Sequence, residues 1–249
     1  MINALFKRRW WLTQNRIFST LGFALMLPLL IYTMVFMVLN TIIGKSVNGI
    51  PYSEWAFPGC IVLIGASALM PLLFRDFFDL RVHGRVLLNL TLSPSSKTGL
   101  VAGILLTGLA ESLVFSAAAG GVLLVLINTS FGAVDFLLIL AFAAVFNIML
   151  GNIIIMLSLL IDRVSLFMFS ILALFIWITF GSGLLIELGY YPESVGAVLE
   201  FLPTALVVRG FHSILFLNHL DGILIGVPIL LGIVWTFLNG FILKRKLNQ

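Results

Sequence analysis

The side chains that could do chemistry are few and far apart. The three histidines are His83, His212 and His219, and none stands at metal-ligand spacing from a carboxylate or a cysteine. Cys60 is the lone cysteine, which excludes an intramolecular disulfide framework and a cysteine-rich metal site. Ser95, Ser96, Lys97 and Thr98 match the last residues of a phosphate-binding loop. That loop needs glycines ahead of its lysine, and Ser96 stands where the one next to the lysine belongs, so the chain does not bind ATP by this motif. No catalytic set faces itself across the sequence, and the chain reads as a non-enzyme.

Glu111 is the exception that needs a reason. It is the one ionisable side chain well inside an apolar run, where a charge near the bilayer centre costs on the order of 2.5 to 3.5 kcal/mol on insertion scales. Gly99, Gly103, Thr107 and Glu111 recur every four residues, beside a second row of Gly108, Ser112, Ser116 and Gly120. Such a helix presents a small-residue face for close packing. Two uses of Glu111 stay open: a charge facing a translocation route or partner helix, or a neutral or hydrogen-bonded carboxyl bridging to Asn147 or Asn152.

The elements that position these residues are long apolar runs. With 61% hydrophobic and 10% charged residues and a mean hydropathy of +1.18, the chain has too little polar surface to be a soluble domain. Charge-poor stretches at 21–43, 56–74, 98–127, 136–161, 164–186 and 222–243 are each long enough to cross about 30 Å of hydrocarbon at about 1.5 Å per residue. The predicted fold class is therefore an all-α membrane protein of six transmembrane helices. Of the 14 Lys and Arg, all but Lys45 and Arg209 fall on one side of this arrangement. The positive-inside rule then puts both termini in the cytoplasm. The net charge of +4 sits at span ends rather than along a stripe, so it serves lipid head groups and not nucleic acid.

Between the spans, three segments stand out. Residues 1–19 mix Leu5, Phe6, Trp10 and Trp11 with Lys7, Arg8, Arg9 and Arg16, which suits a helix in the membrane interface rather than a cleaved signal. Residues 75–97 form the largest cytoplasmic connection, whereas Asp162 and Arg163 make a tight turn. Residues 187–221 form an external segment in which Val195, Val198, Leu199 and Leu202 keep helical spacing and Pro203 starts a second helix. Pro28 and Pro71 are placed to bend the first and second spans. There is no internal repeat and no room for a soluble domain.

Several short motifs resemble the type-2 ABC exporter permeases. They are Glu54-Trp55-Ala56-Phe57-Pro58-Gly59 opening the second span, the basic loop with Gly84, Leu92-Ser93-Pro94, and Gly99 at the start of the third span. Late in the chain come Gly181 and Gly183, Tyr191-Pro192, Leu202-Pro203 and Arg209-Gly210-Phe211. The resemblance implies a single transmembrane domain over 1–249, with a re-entrant external segment before the last span. It implies a second permease subunit, most simply a homodimer, and a nucleotide-binding ATPase that holds ATP and Mg. No cofactor is expected on this chain. Arg75, Asp76, Asp79, Arg81, His83 and Arg85 would form the mixed-charge surface that docks the ATPase, unless these charges merely end spans in water. Many relatives carry an acidic residue just before the glycine of the basic loop, where this chain has His83.

The expected activity is export of an amphipathic, drug-like or lipid-linked substrate across the cytoplasmic membrane. A lipid-linked polysaccharide is the alternative, because Tyr32, Phe175 and Trp177 lie in aromatic-rich spans on which sugar faces could stack, or which pack against lipid and core. An ion-coupled carrier or channel would call for several intramembrane charges, and an intramembrane enzyme for facing catalytic groups.

Overall fold

In the computed structural model, which describes residues 2–82, 96–127 and 129–247, the chain is an all-α membrane protein with six helices long and apolar enough to span a bilayer. Helix α1 covers Ile2–Gln14. The six spanning helices are α2 (Ile17–Ile43), α3 (Tyr52–Val82), α4 (Lys97–Leu126), α5 (Ala133–Leu160), α6 (Val164–Gly181) and α9 (Gly222–Leu247). Between α6 and α9, α7 (Glu193–Glu200) and α8 (Pro203–Leu217) meet at 90°. One isolated bridge joins Lys45 to Pro51, and no strand forms among the described residues.

The centre of the bundle is α3. In its most apolar window 78% of residues are buried, against 17% for α2, α6 and α9, so the rest of the chain leaves most of the surface of those three uncovered. Small residues let neighbours reach α3: a side chain at Gly59 would collide with the backbone carbonyl of Leu184. The two small-residue rows of α4 do pack inward, with Gly103, Thr107, Gly108, Ser112, Ser116 and Gly120 all buried. Ser116 donates to the carbonyl of Ile61 on α3 at 3.3 Å. Near the start of α4, a Cβ on Gly240 of α9 would lie 2.7 Å from the Cα of Thr98, so α9 and α4 touch backbone to backbone there. Without a hydrophobic drive between helices in lipid, such close contact is what holds a bundle together. Stacked rings fill the rest, with centroid separations of 4.3 Å for Phe78 on Phe167 and 4.1 Å for Phe142 on Phe211.

Several boundaries differ from the sequence reading. The second span does not stop near residue 74; its helix continues to Val82, because Phe77 and Phe78 stay buried and Asp76 is paired. The expected 75–97 loop is thus helical through Val82, and its remainder at 83–95 lies outside the described residues. The fifth span ends at Gly181 rather than 186, where Gly183 takes φ +83°, a conformation suited to glycine. Pro28 and Pro71 are each followed by wider π-type turns, at Tyr32–Phe36 and Phe74–Asp79. Prolines and π turns are both recognised causes of a bend in a helix.

The two ends of the bundle are tied differently. At the end that carries the termini, ion pairs dominate. At the far end, hydrogen bonds anchor the segment before α7: Tyr52 donates to the carbonyl of Leu185 at 2.9 Å, Val47 N–H to Glu187 at 2.7 Å, and Tyr190 to the carbonyl of Lys45.

Candidate functional site

The densest polar site lies at the termini end. Arg9 is buried, and its Nη1 stands 3.0 Å from Asp76 Oδ2 while its Nε stands 2.7 Å from Glu111 Oε2. One guanidinium therefore joins α1, the π-turn end of α3 and the small-residue helix α4. These contacts are close in distance but not aligned as hydrogen bonds, so charge attraction carries them. Asp76 also meets Arg75 at 3.2 Å and Arg8 at 4.0 Å. Glu111 lies about 15 residues before the far end of α4, about 22 Å along the axis. With the far end of α4 at one edge of a core of about 30 Å, this puts the carboxylate about 7 Å to the termini side of the midplane, which lowers the cost of its charge.

A second group of ions stands at the same end. Arg81 donates to Asp162 and to the carbonyl of Ile161, and Lys246 donates to Asp162 at 3.2 Å. The turn between α5 and α6 is thereby fastened to the ends of α3 and α9. The Arg81 hydrogen bond, with help from Lys246, holds the Asp162 carboxyl below its usual range.

Deep in the bundle, α5 and α9 share a neutral network. Asn152 donates to the carbonyl of Gly232 at 3.2 Å and accepts from Thr236 at 3.2 Å and Asn239 at 3.1 Å. Asn147 donates to Ser112 at 3.3 Å. These bonds hold helices together and bring no reactive group to a surface.

At the far end a cavity of about 310 Å³ opens between α3, the segment after α6, α8 and the start of α9. Trp55, Glu187, Arg209, His212 and Ser213 line it with apolar neighbours. The His212 ring meets Trp55 edge to face at 4.9 Å, and Arg209 pairs with Glu200 at 3.3 Å. The lining mixes rings, a guanidinium and carboxylates. No group of three or more metal-ligating side chains forms among the described residues.

Set against the expected docking surface, the geometry is selective. Arg75 is half-exposed, Asp76 is buried among cations, Asp79 is half-buried and Arg81 is taken up by Asp162. His83 and Arg85 lie outside the described residues. The bridge from Glu111 to Asn147 or Asn152 is not made, because each asparagine has nearer partners and Arg9 brings an opposite charge. Among the aromatic candidates, Tyr32 donates to the carbonyl of Leu126 at 3.4 Å and stacks on Phe36, while Trp177 is half-exposed on the outside of α6. No ring contact joins Tyr32 to Phe175 or Trp177 among the described residues.

Sequence reasoning missed Arg9 and Asp162. The available signal for the first was a membrane carboxylate with no cation in its own span, and for the second an acid in a turn flanked by basic ends. Ser96, taken from the phosphate-loop lookalike, is instead the N-cap of α4 and accepts from the N–H of Gly99 at 3.0 Å. No family model matches the chain, and neither a curated protein nor a solved structure matches it.

Proposed function

We propose that this chain is the transmembrane subunit of an ATP-driven ABC exporter that moves an amphipathic, drug-like or lipid-linked substrate outward across the cytoplasmic membrane. The termini end faces the cytoplasm, a second permease subunit completes the route, and a separate nucleotide-binding subunit handles ATP and Mg.

The observation that carries the reading is the length and bracing of α3 and α4. At 31 and 30 residues they run about 46 and 45 Å, some 15 Å beyond the hydrocarbon thickness. At the termini end Arg81 ties α3 to the turn at Asp162, and Arg9 ties α1 both to Asp76 of α3 and to Glu111 midway along α4. A displacement applied there would pass to several spans at once, because breaking a buried ion pair costs more than moving the helices together. That is what a permease needs if the energy source is outside the membrane. The far-end cavity, part aromatic and part charged, suits a substrate with both an apolar and a polar portion.

A photo-crosslinking residue placed at Arg75, the half-exposed member of the set, tests the arrangement in intact membranes. The expected product joins this chain to an ATP-hydrolysing protein, and the same residue at Asn48 of the far end gives none. Crosslinking that is equal at both positions, or absent at Arg75, removes the docking assignment.

A further inference from the structure

Beside the Arg9 cluster, α1, α2 and α4 leave a crevice of about 570 Å³. Its chemistry changes along its length. Lys7, Arg9, Thr20 and Glu111 line one part, while Leu21, Ala24, Val114, Phe115 and Ala118 line the other. Because α2 and α4 run in the same direction, with Phe23 level with Phe115 at a 5.9 Å ring contact, the apolar part lies deeper in the bilayer. From Glu111 to Ala118 it extends about 10 Å toward the midplane. A polar mouth at one depth with an apolar slot behind it has the polarity of a single lipid in its leaflet.

The charges at the mouth select among lipids. Among the charges that line the crevice, Glu111 is matched by Arg9, leaving Lys7 in excess. Its ammonium lies 5.2 Å from the Trp11 ring centroid and within ion-pair distance of no carboxylate among the described residues. We infer that the crevice between α1, α2 and α4 binds one anionic phospholipid, its phosphate head group at Lys7 and its acyl chain against Val114 and Ala118. The inference is independent of the transport reading, since it asks only for a bilayer. Its consequence is that α1 is held both by ions and by a lipid.

The test reconstitutes the full chain in vesicles of equal phosphatidylglycerol and phosphatidylcholine, extracts it in mild detergent and counts retained lipid by native mass spectrometry. One phosphatidylglycerol per chain is expected, preferred about fivefold, the ratio that about 1 kcal/mol per basic residue near an anionic surface gives. Lys7→Gln, at an exposed position, brings the preference near parity while a lipid is still retained. Ala118→Phe, which fills the slot, abolishes retention of either lipid in protein that still elutes as a single species. Absence of a retained lipid in the native chain overturns the inference, as does a preference untouched by Lys7→Gln. Should Ala118→Phe not elute as a single species, Ala24→Phe fills the slot from α2 and is read the same way.

Discussion

Replacing Arg9 with Gln removes the one cation that both Asp76 and Glu111 share. The three side chains are 8%, 11% and 19% exposed, so water screens them little. At 2.7 and 3.0 Å, with an effective dielectric near 20, each pair attracts by about 6 kcal/mol before desolvation is subtracted. Desolvation removes most of that, yet deletion of one partner still costs about 3 to 5 kcal/mol because a charge is left buried alone. Asp76 keeps Arg8 and Arg75, whereas Glu111 keeps no partner, so the expected loss is near the low end, about 3 kcal/mol. Glu111→Gln should cost less, about 1 to 2 kcal/mol, because Arg9 still holds Asp76. Combining the two should recover part of the Arg9→Gln loss, since the orphaned carboxylate is gone. Chemical unfolding in mixed micelles, followed by tryptophan fluorescence, gives all three values. The shared role of Arg9 is refuted if Arg9→Gln unfolds within about 0.5 kcal/mol of the native chain, or if the double variant is weaker than Arg9→Gln alone.

Two further outcomes are expected. In a Cys60→Ser background, single cysteines at the exposed Asn48 and Ser194 should react with an impermeant thiol reagent on intact cells, while one at Asn15 should react only after permeabilisation; labelling of Asn15 in intact cells would invert the orientation. The Asp162 carboxyl is held below its usual range by Arg81, so the stability it adds is present above the ordinary carboxylate pKa and is lost as pH falls through the lowered value. Asp162→Asn should therefore lower the melting temperature near neutral pH and make no difference at strongly acid pH, and a gap that persists in acid would contradict the assignment.

The six spans were legible because an apolar run of about 20 residues has few other stable fates. What the sequence hid was where each helix leaves the hydrocarbon. Beyond that boundary a helix no longer needs apolar residues, so Arg75, Asp76 and Asp79 read as loop although their helix continues to Val82. The Gly181-Ser182-Gly183 stretch was a visible sign that α6 stops early, and hydropathy alone overran it. The partner of Glu111 was hidden for a different reason. Periodicity shows which face of α4 is packed but not which distant element covers it, and Arg9 reaches it from another helix near the start of the chain. The aromatic residues illustrate the same limit: Tyr32 and Trp177 share a composition bias, and the fold gives them separate surroundings.

We propose that this membrane protein is a permease driven by an ATPase on a separate chain. Isolating the tagged chain from its native membrane in mild detergent and measuring ATP hydrolysis in the eluate, beside the same chain purified alone, tests this most directly. The expected result is hydrolysis that co-elutes with the chain from native membranes, none from the chain alone, and a marked loss of the co-eluting activity in Arg75→Glu, at the half-exposed member of the docking set. A native-membrane eluate in which the chain is intact and no ATP-hydrolysing subunit accompanies it would contradict the account.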